Sequence, residues 1–344
     1  MRVFGAHERL EGTLAHYLEA QTIPALYAKI LARYETDYER DHPGLVRDTF
    51  TCLWAARRGL AEAELLDLLG SNGAPLPRAH WAPLALAAEQ ALVSRSGLLG
   101  FAHAYLRQAV QDRYLPTSEA ERAAHRRLAD YFAGRELMAR RVDEEPWHLD
   151  QAAAWDRLAA RLTDLPFFAA AWQAAPFDAK AYWARLEAHT PLRMADAYRP
   201  VLADPAAHHA YVWDLATLLQ ETGYPAEALA LRGYLVTHYR RTGDRASLAR
   251  ALGNQAHSLY VRGDLDGAMA LHKDQMRLCR ELGDPHGLAI SLANQADTLG
   301  LSMDRPKEGL PLAEEAHRLA GKSGYGPLSK QIEAIRDKIR KRIG

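Results

Sequence analysis

Apolar and polar positions alternate most regularly in the last third of the chain. Leu252, Ala256 and Leu259 fall on one side of a helix, and Ala268, Met269 and Leu271 begin the apolar stripe of the next. Apolar residues three and four apart mark a helical face buried on one side. Between the two stripes stands Gly263-Asp264, a break that suits the left-handed position ending a helix. The small side chains Ala256 and Ala268 allow the two helices to approach closely. The pattern recurs: Asn-Gln-Ala begins at 254 and again 40 residues later at 294, Ala216 aligns with Ala256 and Ala296, and Gly223 aligns with Gly263. Three helix-pair units are predicted over 211–325, the third with about one extra residue near Pro306. Units of this length stack into a solenoid. Beyond them Ile332, Ile335, Ile339 and Ile343 form one apolar face. Six of the last 15 residues are basic and two acidic, which suits a solvated capping helix over 326–344 with cations at its C-terminus.

The front of the chain follows another pattern. Leu45, Val46, Thr49, Phe50, Leu53 and Trp54 share a helical face. "GLAEAELLDLLG" predicts a second short helix ended by Gly70, and "PRAHWAPLALAAEQAL" a third with Pro83 near its start. Two short apolar runs around a Ser-Gly turn, over about 91–102, predict a hairpin, the only β-structure expected. Three helices and then a hairpin is the order of a winged-helix domain, placed at 43–135. His103 stands where the hairpin gives way to the next helix, with no partner nearby in sequence. A capping box at Ser118 and Glu121 is expected to open the helix after that. Residues 136–210 read as irregular paired helices, a connector whose core is Trp147, Trp155, Phe167, Trp172, Tyr182 and Trp183.

Composition narrows the function. The chain is 344 residues long and 48 % apolar, with 43 basic and 43 acidic side chains. Zero net charge argues against coating nucleic acid or an anionic membrane. Two distant cysteines, Cys52 and Cys279, make neither a disulfide framework nor a zinc motif. With no long apolar run and no signal peptide, the expectation is a cytoplasmic, mainly α protein without a membrane partner. Catalytic signatures are missing, so neither an enzyme nor a metal site is expected. "AGKSGYG" (320–326) lacks the glycine that a phosphate loop needs at position 316, which is Ala316 in a helical stretch. His208 and His209 read as a solvated pair at a helix start.

Two resemblances add to this. The helix pairs resemble tetratricopeptide repeats in a 40-residue form, departing at Gln255 and Gln295, where an apolar residue is usual, and at Gly309, where a larger one is. The chain also resembles the part of signal-transducing STAND ATPases of the NACHT, nephrocystin-like type that follows their NTPase module. The residues that carry this likeness are "LVRDTFTCLWAARRGLAEAELLDLLG", "LVSRSGLLGFAHAYLRQAVQDRYL" and "EEPWHL". Ala61 departs from it, standing where an N-cap Ser is commoner. By this resemblance residues 1–42 are the helical linker following an absent NTPase module. ATP and Mg²⁺ would belong to that module, and this chain itself would hold no cofactor. His103 would reach the nucleotide's phosphates in the parent protein and help to hold it inactive, the alternative being a cap on its own helix. The repeats would bind a protein or peptide ligand on their concave face, through Arg250, Asn254, His257, Asn294 and Asp297. The asparagines suit a peptide backbone because each offers a donor and an acceptor, unless they bond between helices of the solenoid. This chain is expected to be monomeric and the parent to be able to oligomerise on activation. The competing reading is a winged-helix transcription regulator with a repeat sensor. Its recognition helix would carry only Arg78 and His80 against Glu89, poor equipment for reading bases.

Overall fold

Helices dominate the computed structural model, which describes residues 10–322 and 326–343. The chain divides into two compact units, the first ending at Tyr182 and the second beginning at Trp183.

The first unit runs α1 (Leu10–Leu18), α2 (Ile23–Tyr38), α3 (Leu45–Ala55), β1 (Leu60–Ala61), α4 (Glu62–Leu69), α5 (Arg78–Ala87), β2 (Leu92–Arg95), β3 (Leu98–Phe101), α6 (Ala104–Tyr114), α7 (Ser118–Ala133), α8 (Ala139–Gln151), α9 (Trp155–Thr163) and α10 (Leu165–Ala174). Its core is built on α3, which packs against α2, α4, α6, α7 and β3. The predicted face of α3 is buried, and so are Thr51, Cys52 and Ala55 behind it. A helix expected to bury one face buries most of its girth, with Arg47 left exposed.

The hairpin lies where it was expected. Ser96 (φ 52°) and Gly97 (φ 81°) are both left-handed, as a two-residue turn matched to the twist of its strands requires. The sheet has a third strand that the sequence did not suggest, in the order β1-β3-β2, all antiparallel. Two residues are too few to display a strand's alternation. Gly59 admits β1, because a Cβ there would stand 2.4 Å from the carbonyl oxygen of Leu99.

Two local expectations need correction. Pro83 lies inside α5, not near its start. The N-cap of α7 is Thr117, whose hydroxyl accepts from the Ala120 N–H at 3.2 Å. Ser118 is already helical, and Glu121 accepts from Gln111 at 2.6 Å, so the capping box does not form there. At α4, Ala61 has no side-chain acceptor, but its N–H donates to Glu64 Oε2 at 2.8 Å, the reciprocal half of a box.

α11 (Pro176–His189) carries the division between the units. The second unit continues with α12 (Met194–Ala197), α13 (Arg199–Ala203) and the helix pairs α14 (His209–Glu221) with α15 (Pro225–Thr242), α16 (Arg245–Val261) with α17 (Leu265–Leu282), and α18 (Pro285–Asp297) with α19 (Pro306–Lys322). α20 (Gly326–Ile343) follows. These pairs form the α-solenoid that the repeat predicted. Gly223, Gly243, Gly263 and Gly283 all have positive φ at helix ends. After three of them an aspartate caps the next helix: Asp244, Asp264 and Asp284 accept from backbone N–H groups at 2.9–3.0 Å. Ala256 and Ala268 are fully buried.

The extra residue of the third unit is taken up before Pro306, by a π-helical turn over Thr298–Ser302. Such a turn absorbs one inserted residue without ending the helix. It also explains Gly309, where a Cβ would lie 2.8 Å from the Ala296 carbonyl oxygen and 2.9 Å from the Gly300 nitrogen. On α20 Ile332 and Ile339 are fully buried, while Ile343 is 39 % exposed.

Of the connector aromatics, Phe167, Tyr182 and Trp183 are buried. Trp147, Trp155 and Trp172 are half-buried.

Candidate functional site

Arg250, Asn254 and His257 stand on the first helix of the second pair, four and then three residues apart, and so on one face of α16. Asn294 and Asp297 stand one repeat further on, on α18. Arg250 is exposed, its guanidinium 5.4 Å from the centre of the Trp213 ring, with Nη2 donating to Ser247 Oγ at 3.1 Å. His257 is exposed too. Burial of part of its ring, and then the charge of Arg232, lower its pKa.

Both asparagines are half-buried. Their backbone oxygens are occupied, Asn254 by Arg232 Nη1 at 2.6 Å and Asn294 by Thr298 Oγ1 at 2.7 Å. Neither side-chain amide bonds to another described residue, so the alternative of a brace between helices is not realised. Asp297 differs, because it accepts from the Tyr260 hydroxyl at 2.9 Å.

Sequence reasoning missed a polar column behind this face. Arg232 on α15 is 6 % exposed and donates from Nη1 to Ser258 Oγ at 2.7 Å, and Ser258 donates to Gln220 Oε1 at 2.7 Å. One repeat on, buried His272 meets Gln275 at 3.3 Å, and its backbone oxygen accepts from Ser291 and Gln295. That bond answers the departure at Gln295. The available signal was the period itself, since Arg232 and His272 are 40 residues apart at one apolar-stripe position.

In the first unit His103 is the N-cap residue of α6 but makes no capping bond with its side chain. The ring is exposed and without a hydrogen-bond partner among the described residues. The capping alternative is therefore not realised.

The "EEPWHL" segment forms part of α8 and carries a buried relay. His125 Nδ1 meets His148 Nδ1 at 3.1 Å, and His148 Nε2 meets Glu144 Oε2 at 3.1 Å. Glu144 Oε1 accepts from Arg140 at 2.6 Å. One proton on each imidazole satisfies the chain: His125 donates to His148, and His148 donates to a Glu144 carboxylate. Burial, and then the charges of His148 and Arg107, lower the His125 pKa to about 3. Burial also lowers that of His148. For Glu144 burial works upward, but the His148 bond and the Arg140 charge outweigh it and leave its pKa lowered. Arg57 fastens the same region, donating to Asp143 at 2.9 Å and Asp178 at 2.7 Å.

The remaining candidates fall away or change. His209 is no solvated residue: its ring stacks on His238 at 4.0 Å, and Nδ1 lies 3.3 Å from the Tyr234 hydroxyl. The "AGKSGYG" stretch lies partly outside the described residues. On α5, Arg78 pairs with Glu62 at 2.7 Å and His80 meets the His42 ring edge-on at 4.1 Å. Among the described residues no three His, Cys, Asp or Glu side chains are grouped to hold a metal. No helix there is long and apolar enough to cross a membrane.

No family model matches the chain. A TPR repeat-containing protein of Dictyostelium discoideum is 33 % identical over 167 residues, which are 48 % of this chain and 10 % of that protein. Tetratricopeptide repeat protein 41 of Mus musculus is 28 % identical over 186 residues, 44 % of this chain and 14 % of that one. The chain thus spans a small part of the length of these relatives. The crystal structure of a signal transduction ATPase with numerous domains (STAND) and a tetratricopeptide repeat sensor, from Pyrococcus horikoshii, aligns with 93 % of this chain and 57 % of its own. The TM-score is 0.38 and the identity 12 %.

Proposed function

We propose that this chain is the ligand-sensing and regulatory part of a STAND-class signalling NTPase, and that its helix pairs hold a protein or peptide ligand. The observation that carries the reading is the pair of unbonded asparagine amides, Asn254 and Asn294, one repeat apart on successive first helices. Half-buried amides without protein partners are suited to the alternating donors and acceptors of an extended peptide. The likeness to proteins named for tetratricopeptide repeats supports a role in protein interaction.

The second part of the proposal concerns regulation. The order helix, strand, helix, helix, hairpin over α3 to β3 fits a winged helix, and exposed, unbonded His103 at its last strand-to-helix join fits a contact to a nucleotide phosphate held by an NTPase module. An imidazole can make that contact near neutral pH. ATP and Mg²⁺ would belong to that module.

The test is a peptide-display selection on the native chain, followed by titration of the enriched peptides against the Asn254→Ala/Asn294→Ala double variant. Each lost hydrogen bond contributes about 0.5–1.5 kcal/mol net, so two lost on each asparagine should weaken binding more than tenfold at an unchanged melting temperature. A large fall in melting temperature instead would make the asparagines structural and remove the site.

A further inference from the structure

A cavity of about 570 Å³ lies in the first unit, lined by neither His103 nor the histidine relay. Pockets that enclose metabolite-sized ligands have this volume. One side comes from α1 and α2, the other from α5, the turn after it and α6. Lys29 of α2 donates to Glu19, just past α1, at 2.8 Å and holds the first side together. The Tyr34 hydroxyl donates to the Ala87 carbonyl oxygen at 2.8 Å, tying α2 to α5. Buried Leu106 of α6 lines the cavity too, with Ile30 and Pro83. Leu86 completes the apolar part and is 56 % exposed, a large side chain left open beside an empty space of its own chemistry.

Four phenol rings also line the cavity, those of Tyr17, Tyr27, Tyr34 and Tyr38. The rings of Tyr34 and Tyr38 are 5.9 Å apart. Burial, and then the Tyr38 and Tyr17 phenols, push the pKa of Tyr34 up to about 12. The hydroxyls of Tyr27 and Tyr38 make no hydrogen bond among the described residues. An aromatic ring is negative over its face and attracts cations there. The charged groups lean the same way. Among the described lining residues Arg33 is the one cation, and it is occupied: Nε donates to Asp37 Oδ2 at 3.1 Å and Nη1 to the Tyr17 hydroxyl at 3.4 Å. Glu89 has no ion pair among the described residues. Asp37 and Glu89 against Arg33 thus leave the lining one negative charge in excess. An anion would be repelled there, and a neutral ligand would leave Glu89 unused.

We infer that this cavity binds a small organic cation, an alkylated ammonium group carried on an apolar body. The tyrosine rings surround the charge and Glu89 balances it, while Ile30, Pro83, Leu86 and Leu106 cover the body. The site shares no residue with the peptide groove proposed on α16 and α18.

The experiment titrates the full chain by calorimetry with benzyltrimethylammonium and hexyltrimethylammonium. Neutral phenyl-tert-butylcarbinol, close in shape to the first, and the anion phenylmethanesulfonate are titrated beside them. Native chain should bind a cation at least about tenfold more tightly than the carbinol, as the attraction of a partly desolvated cation to several rings implies. The sulfonate should bind no more tightly than the carbinol. Glu89→Gln, a change at an exposed position, should weaken the cation about threefold, the usual weight of an exposed ion pair, and leave the carbinol unchanged. Tyr27→Leu/Tyr38→Leu should abolish the preference for the cation. The native comparison and Glu89→Gln decide the matter even if the tyrosine variant misfolds. Equal binding of cation and carbinol, or a preference for the sulfonate, would overturn the assignment of charge. Cation binding that neither Glu89→Gln nor the folded tyrosine variant alters would lie elsewhere and overturn the site. Failure of both cations to bind at millimolar concentration would overturn the inference as a whole.

Discussion

Mild acid should loosen the first unit through His125. The folded state holds this imidazole neutral, with its pKa lowered from 6.5 to about 3, whereas the unfolded chain protonates it normally. Below about pH 6.5 the unfolded state therefore binds the extra proton, and stability falls with pH until the folded ring also titrates. From about pH 7.5 to about pH 5.5, a site moving from 6.5 to about 3 loses about 1.4 kcal/mol. His148, also lowered, adds to the loss in the same direction. Glu144 is lowered from 4.5, so its contribution is present above that value and declines only in stronger acid. With a urea dependence of about 2 kcal/mol per molar, His125 alone should shift the unfolding midpoint down by about 0.7 M. Tryptophan fluorescence can follow it, because the rings of Trp54 and Trp147 lie 5.5 and 5.1 Å from that of His125. His125→Phe should be less stable at neutral pH and lose most of the pH dependence. Equal midpoints for native chain at the two pH values, or an undiminished shift in His125→Phe, would refute the relay as described.

Gly309→Ala should lower the melting temperature by several degrees, about 1–3 kcal/mol, because the new methyl meets backbone of the π-helical turn that cannot yield; an unchanged melt would contradict the close approach. His103→Ala should leave the stability of this chain within about 0.5 kcal/mol, since the exposed ring has no bond to lose. In a protein that also carries the NTPase module, the same substitution should raise basal activity more than tenfold by weakening the inactive state by about 1.5–3 kcal/mol. A basal rate unchanged by His103→Ala would rule out the phosphate contact.

The helix pairs were legible in the amino-acid sequence because their causes are local. Apolar spacing selects the buried face of α16, and Gly263 and Asp264 end one helix and cap the next with no help from distant residues. The 40-residue recurrence then implies stacking, because each pair leaves an apolar face that only another pair can cover. Ile332 and Ile339 announced the closing helix in the same way. Features that depend on neighbours far along the chain were not legible. β1 exists because Leu99 and Leu98 of β3 offer its two residues partners, and the π turn is set by packing against Gly309 and Ile339. Thr117 displaced Ser118 as the cap by one residue, a choice decided by where the chain turns. His125 and His148 meet across 23 residues and Arg232 and Ser258 across 26. Read singly these are polar residues with no evident role. Folding removes them from water, and only the groups brought against them decide whether a buried proton is shared, as on His148, or a buried charge meets only neutral acceptors, as on Arg232.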